Sequence, residues 1–219
     1  MKRLLIILLS VLLAICFSSY AYSGMFDYVS SIFSSDISDR KETLEEAINE
    51  YEKAKQKTGN DFHSGVKYFK QSLAYAKQKD IDFKQVHDRW ESVENQVDDL
   101  GDKFSNQVEK ADLLFKEYYS KANEIKDETK RNKVIEKIDD SFEIYKSAYV
   151  ETKKRIDQLW ALYNKVNDNI ISLEIITSLN EIQSYVNSLK EIETEANMIM
   201  KELDELSKTT SSMADLNLK

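Results

Sequence analysis

The sequence predicts an all-α protein, an elongated antiparallel coiled coil or up-and-down bundle of three to four long helices. Three observations predict this class. The 219 residues contain no proline and only four glycines, which are the residues that most often mark turns and sheet corners. Hydrophobic residues make up 42% and charged residues 32% of the chain, a balance typical of bundles. Apolar residues also recur at alternating spacings of three and four, as on one buried helix face.

A secretory signal peptide is predicted over residues 1–21. It begins with the basic Lys2 and Arg3, continues as an apolar run of about 14 residues and ends in small residues. The run is short for a membrane span, which needs about 20 residues. Cleavage after Ala21 or after Ser23 would satisfy the small-residue requirement of the peptidase.

Cys16 is the only cysteine, and it stands where a bacterial lipoprotein carries its acylated residue. Leu13 fits that signal, whereas Ile15 is larger than the small residue usual before the cysteine. We favour removal of Cys16 with the leader, and lipidation of Cys16 and an uncleaved anchor are the alternatives. After removal, the chain has no thiol for a disulfide or a thiolate metal site.

A short amphipathic segment is predicted over residues 22–37, before the bundle proper. This segment either caps the bundle or touches a membrane surface. Its apolar residues are Met25, Phe26, Val29, Ile32, Phe33 and Ile37.

The first long helix is predicted over about residues 38–79. Lys55 and Thr58 keep the phase of its apolar stripe, so we expect one helix despite the cost of about 1 kcal/mol for Gly59 in a helix interior. The stripe consists of Leu44, Ile48, Tyr51, Phe62, Val66, Phe69, Leu73 and Ala76.

The second helix is predicted to begin at Asp82, as the N-cap, with Gln85 completing a capping box. Gly101 lies beside its stripe and is interpreted as a point of close approach by a neighbouring helix. The stripe consists of Val86, Trp90, Val93, Val97, Leu100, Phe104, Val108, Ala111, Phe115, Tyr118, Ala122 and Ile125.

The third stripe is the most regular, with an average spacing of 3.5 that favours a supercoil with a partner helix. It consists of Ile138, Phe142, Tyr145, Tyr149, Thr152, Ile156, Leu159, Tyr163, Val166, Ile170 and Leu173. The fourth consists of Leu179, Ile182, Val186, Leu189, Ile192, Ala196, Ile199, Leu203 and Leu206.

The phase slips between the third and fourth stripes. A reversal around residues 174–180, capped by Ser178 or Asn180, would explain the slip, and so would one straight helix with a wide apolar face. Similar helix lengths favour the antiparallel arrangement. The predicted bundle covers residues 38–208 and is followed by a flexible tail over residues 209–219.

The pattern of reactive residues predicts no catalytic, cofactor-binding or metal site. His63 and His87 lie on different helices, and neither has a glutamate three residues before it, as di-iron bundles require. Acidic clusters are interpreted as solvated helix faces; they are Glu45-Glu46, Asp98-Asp99 with Asp102, Asp139-Asp140, and Glu191, Glu193 and Glu195.

The net charge of the chain limits the classes of partner that it is expected to bind. The formal net charge of -8 opposes binding to nucleic acid, which needs a basic surface. Membrane contact is expected only through lipidated Cys16 or residues 25–37. A protein partner or self-association is expected, and Trp160, one residue off the third stripe, is a candidate partner contact.

The chain resembles a family of uncharacterised bacterial exported coiled-coil proteins, the domain of unknown function 2959 type. The resemblance is carried by Cys16-Phe17-Ser18-Ser19-Tyr20, Gly24-Met25, Asp36-Ile37-Ser38-Asp39-Arg40 and Ile176-Thr177-Ser178-Leu179. It implies envelope localisation and a helical body, and it transfers no functional residues.

From these features we expect a non-enzymatic exported bundle in the periplasm or cell envelope that acts as a structural, spacer or interaction element. One alternative is a membrane-active helical toxin or effector, for which residues 169–182 are the only mature segment that could insert. Another is a binder of an apolar ligand between helices.

Overall fold

A computed structural model describes residues 35–75, 81–175 and 179–214, and these residues form four long α-helices and no strand. The helices are α1 (Ser35–Tyr75), α2 (Phe83–Asn123), α3 (Glu128–Ile175) and α4 (Leu179–Ala214). The predicted all-α bundle is therefore confirmed, with four helices. The predicted signal peptide, Cys16 and residues 22–34 lie outside the described residues.

The helices pack in a ring in which each contacts its two neighbours in the sequence order α1, α2, α3, α4, and α4 closes on α1. Polar contacts show that α3 and α4 are antiparallel: Arg155 Nε lies 2.7 Å from Glu202 Oε2, and Asn169 donates to Ser188. The chain therefore reverses after α3, as one of the two alternatives predicted. Asn180 lies inside α4 and is not its cap, while Ser178 lies outside the described residues.

We call the end of the bundle where α1 and α3 begin the proximal end, and the end where they finish the distal end. The 48 residues of α3 correspond to about 72 Å of helix. The elongated shape that the sequence predicts follows from this length.

α1 is continuous through Gly59, as the unbroken stripe predicts. Every stripe residue from Leu44 to Leu73 is buried, and so are Lys55 and Thr58, which hold the phase between the two apolar halves. The side chain of Met200 on α4 packs against Gly59. The helix tolerates this glycine because both flanks are fixed by packing.

Asp82 caps α2, since its Oδ1 accepts a hydrogen bond from the backbone N–H of Gln85 at 3.1 Å. The predicted N-cap is therefore confirmed. The Gln85 side chain instead accepts a hydrogen bond from the hydroxyl of Tyr68 on α1. The residue expected to complete a capping box thus joins two helices.

At two positions a polar residue is buried in place of the adjacent apolar residue of the predicted stripe. Gln107 is buried and Val108 only half-buried, and Ser207 is buried while Leu206 is half-buried. A stripe followed at 3.5 residues per turn on a helix of 3.6 drifts in one direction only, whereas the buried residue is one position earlier at Gln107 and one position later at Ser207. The position of the neighbouring helix therefore decides which residue faces the core.

Close packing at Gly101 was predicted, and this prediction is wrong. A Cβ built on Gly101 would have no neighbour within 4 Å, whereas one built on Gly65 would lie 3.0 Å from Val93 and 3.2 Å from Trp90. The close approach of α1 and α2 is therefore at Gly65. Sequence position beside a stripe does not show which glycine faces a neighbour.

Two apolar clusters divide the core along the bundle axis. The distal cluster draws on all four helices and includes Phe69, Trp90, Tyr163 and Leu189. The proximal cluster draws on α1, α2, α3 and Ile125, and its buried members are Ile37, Leu44, Ile48, Ala111, Leu114, Phe115, Tyr118, Ala122, Ile125, Val134, Ile138 and Tyr145. The two clusters meet close to the end of α4.

α4 continues to Ala214, beyond the predicted end of the bundle near residue 208. Thr210 is buried, and its hydroxyl donates to the carbonyl of Ser207 at 3.0 Å. Packing against the bundle stabilises this stretch of Thr and Ser residues as helix. The remaining residues of the predicted tail, 215–219, lie outside the described residues.

Gly65 and Gly101 form a matched pair for a stability measurement. We expect Gly101→Ala to stabilise the fold by about 0.5–1 kcal/mol, because alanine lowers the backbone entropy of the unfolded chain and meets no obstacle. Gly65→Ala should destabilise it, since Val93 and the Trp90 ring would have to move. Chemical denaturation of the two variants measures both effects, and two shifts of the same sign would contradict the assigned packing.

Candidate functional site

A cluster of interacting polar side chains lies between α1 and α4 and includes the buried Lys55 and Ser207. We call this cluster the Lys55 site. It consists of Glu52 and Lys55 on α1 and Asp204 and Ser207 on α4. Positions 52 and 55 are one turn apart on α1, and positions 204 and 207 are one turn apart on α4, so each pair faces the other helix. The site lies where the two apolar clusters meet.

Lys55 is the centre of this site. Its side chain is 2% exposed, and its Nζ lies 2.7 Å from Glu52 Oε2 and 2.8 Å from Asp204 Oδ1. Ser207 donates a hydrogen bond from its hydroxyl to the other carboxylate oxygen of Glu52. A buried ammonium requires such partners, because removing an unpaired charge from water costs several kcal/mol.

Tyr51 and Thr58 complete the surroundings of Lys55. The Lys55 ammonium lies 5.9 Å from the centre of the Tyr51 ring, within reach of a cation–π interaction. Burial raises the pKa of Tyr51 well above its usual range, and the nearby carboxylates of Glu52 and Asp204 raise it further. The Thr58 hydroxyl lies 2.9 Å from the carbonyl oxygens of both Ala54 and Gln96 and thus links α1 to α2.

The Lys55 site opens to solvent in a depression of about 450 Å³ that Lys208 and Ser211 also line. Two lysines and two carboxylates balance in charge, so the depression offers no excess charge to bind an ion. The site is suited to fix α4 against α1 at one register, since only one alignment pairs Lys55 with Asp204. A single buried polar group specifies helix register in this way in coiled coils.

The structure separates the two predicted histidines. His63 Nδ1 lies 3.3 Å from Glu193, which also pairs with Lys70 at 2.6 Å. His87 Nε2 lies 3.0 Å from Glu174. Each histidine therefore joins two helices through one carboxylate, and the two are not brought together.

The predicted acidic clusters lie mainly on the exposed faces of their helices, although Asp99 and Glu193 are half-buried. Within residues 35–75, 81–175 and 179–214, no three His, Cys, Asp or Glu side chains converge as they would around a metal ion. The Lys55 site is not predicted by the sequence analysis. One signal of it is present in the sequence, because Lys55 and Thr58 are polar residues at positions of the apolar stripe of α1. The partner residues on α4 have no such signal in the sequence.

Trp160 is half-buried, and its ring packs edge-on against Tyr163 with centroids 5.4 Å apart. The fully buried tryptophan is Trp90, which stacks on the same tyrosine at 5.4 Å. Tyr163 in turn donates from its hydroxyl to Glu94 at 2.8 Å. Trp160 therefore contributes to packing on α3, and a role in partner binding stays a prediction.

Comparison with known proteins leaves the family open. The chain matches no protein-family model, no curated protein and no solved structure at a significant level. The resemblance to the exported coiled-coil family stays a prediction from the residues that carry it.

Buried tyrosines give the bundle an expected pH dependence. Burial raises the pKa of Tyr118 to about 12, and burial together with a hydrogen bond to Asp139 raises that of Tyr119 to about 12. Burial also raises the pKa of Tyr145. The unfolded value is about 10, so the folded chain holds these protons over a pH range where the unfolded chain releases them.

We therefore expect stability to be fully present below about pH 10 and to fall as pH rises towards about 12, because deprotonation favours the unfolded chain there. Circular dichroism and tyrosinate absorbance, followed together, measure the transition. Tyr145→Phe keeps the ring and removes one titrating group, so it should weaken the dependence. Ionisation of all tyrosines near pH 10 with an unchanged helix signal would contradict this expectation.

Proposed function

We propose that the chain is a non-enzymatic exported helical bundle that acts as a structural, spacer or protein-interaction element of the bacterial cell envelope. The observation that carries the proposal is the continuous rod of about 72 Å, in which the most buried polar cluster joins two helices and is balanced in charge. His63 and His87 pair with Glu193 and Glu174 on other helices. A spacer needs this rigidity and no reaction.

The two ends of the rod have different surroundings. The chain enters α1 at the proximal end, so an export signal or a lipid on Cys16 would place that end nearest the membrane. At the distal end, Tyr75, Ile171 and Ile175 are large apolar residues with exposed side chains, and Ile175 is 78% exposed. Exposed apolar side chains at the tip of a charged rod favour a protein partner there.

A crosslinking experiment in cells tests the partner contact. We expect Ile175→Ser to remove crosslinks to a partner or a second copy, and Val150→Ser, an exposed apolar position in the middle of α3, to leave them. Mass spectrometry of the mature N-terminus separates the lipidated, cleaved and anchored forms. A compact monomer by light scattering, with no crosslinked partner at all, would contradict the proposal.

The toxin alternative depends on residues 169–182. Ile170 and Leu173 are buried in the distal cluster, so insertion would have to pull them from the core. No helix among the described residues is long and apolar enough to cross a membrane. Leakage of liposomes by the mature chain would support this alternative, and absence of leakage at any pH would remove it.

The apolar-ligand alternative needs a cavity between helices. Two depressions among the described residues are open to solvent: the Lys55 site, and one of about 400 Å³ on α3 that is lined by charged residues as well as Tyr149 and Val150. No observation here favours a ligand over packing.

A further inference from the structure

At the proximal end of the bundle, α1 and α3 are separated like opposite helices of a four-helix bundle, but only three of the described helices extend along this end. Lys55 pairs with Asp204 and Glu52 with Ser207, so the last residue of α4, Ala214, lies level with about residue 45 of α1. Arg155 pairs with Glu202, which places the same end level with about residue 143 of α3. About ten residues of α1 and about 15 of α3, or roughly 15–22 Å of helix, extend beyond α4.

The gap between α1 and α3 does not close where α4 ends. Nowhere along the described residues does a Cα atom of α1 come within 8 Å of a Cα atom of α3. In a self-sufficient three-helix bundle each helix packs against both others, with axes about 8–10 Å apart. The two helices instead keep the separation of opposite corners in a four-helix ring.

The apolar side chains on both sides of this gap are nevertheless buried. Leu44 on α1 is 3% exposed and Ile138 on α3 is 2% exposed, and Ile37 and Val134, nearer the end, are buried too. α2 covers only one side of α1 and of α3. Something other than the four described helices therefore covers the fourth side of this end.

We propose that the amphipathic residues 22–34 occupy this fourth position and pack their apolar face into the gap between α1 and α3. The 13 residues measure about 20 Å as a helix, which matches the length left open. They join α1 directly at Ser35, at the end where the gap lies, so docking is intramolecular and has a high effective concentration.

The apolar pattern of the segment fits this position. Placed on a helix, Met25, Phe26, Val29, Ile32 and Phe33 cover one face, with Val29 near its centre. Ser31 falls on the opposite face. The fourth side of the bundle is then formed by α4 at the distal end and by residues 22–34 at the proximal end. In this position the apolar face of residues 22–34 is not available to a membrane.

Hydrogen exchange on the mature chain carrying Val29→Asp tests the proposal, with Ser31→Asp as the matched control. We expect Val29→Asp to speed amide exchange at least tenfold in residues 36–44 and 128–142 at low protein concentration, because the buried Leu44 and Ile138 lose their cover. Exchange in residues 156–173 should stay the same. The control variant should match the unchanged chain in both regions.

Three results would overturn the proposal. Equal exchange in the two variants would show that the segment does not cover the gap. Protection of residues 128–142 that rises with protein concentration would place a second copy there. Protection that appears only with vesicles of phosphatidylethanolamine and phosphatidylglycerol would mean that a membrane surface covers this end. A variant that unfolds completely would also lose protection in residues 156–173, so it is distinguished from local release of the segment.

Discussion

Replacing both carboxylates of the Lys55 site, with Glu52→Gln and Asp204→Asn together, is expected to destabilise the bundle by about 3 kcal/mol. Removal of the partners of a buried charge costs about 3–5 kcal/mol. We expect the lower end of that range because the Asp204 side chain is 59% exposed, so water can reach the site. Urea denaturation of the double variant at neutral pH measures the loss.

Addition of Lys55→Met to this double variant should restore most of the lost stability. The long apolar methionine fills the space of the lysine stem and leaves no unpaired ammonium at a position that is 2% exposed. The comparison separates the cost of the unpaired charge from the loss of two carboxylates. If the triple variant is no more stable than the double variant, then Lys55 does not depend on these partners.

The exposed ion pair between Lys84 and Asp88 is the control for the Lys55 site. Its atoms are as close, 2.7 Å apart, but both side chains are exposed on one helix, where such pairs contribute little. Asp88→Asn should leave the unfolding midpoint unchanged. A large effect there would indicate that burial does not determine the importance of the Lys55 pair.

Trp90→Ala is expected to cost about 3–5 kcal/mol, the usual range for a large aromatic residue removed from a core. The Trp90 ring stacks on Tyr163 with an interplanar angle of 1° and meets Phe62 edge-on at 5.3 Å. Its Nε1 donates a hydrogen bond to the Tyr163 carbonyl at 3.3 Å. The substitution therefore removes contacts between α1, α2 and α3 at once.

Trp160→Ala is the matched control for this substitution. Trp160 is half-buried and packs edge-on against the same Tyr163, so its removal should cost clearly less than that of Trp90. Urea unfolding followed by circular dichroism compares the two without relying on tryptophan fluorescence. Equal losses would contradict the assignment of Trp90 to the core and Trp160 to its edge. Loss of self-association in Trp160→Ala, with stability kept, would support its predicted role as a partner contact.

The Lys55 site shows how far the sequence predicts a site in this chain. The phase of α1 places Lys55 and Thr58 on the buried face, because that inference needs only the 3.6-residue period of one helix. It does not identify Asp204, which lies 149 positions later in the sequence. The pairing depends on how α4 aligns with α1, and many alignments bury a similar amount of apolar surface.

The sequence by itself determines the all-α class, the start of α2 after Asp82 and most of the residues that each helix buries. These follow from local rules: absent proline, Asp82 as a cap and apolar spacings of three and four. Only the tertiary structure decides that Gly65 and not Gly101 is the close contact, that Gln107 replaces Val108 in the core, and that α4 ends before the proximal end. Each of these depends on where a second helix lies, which a single helix period cannot specify.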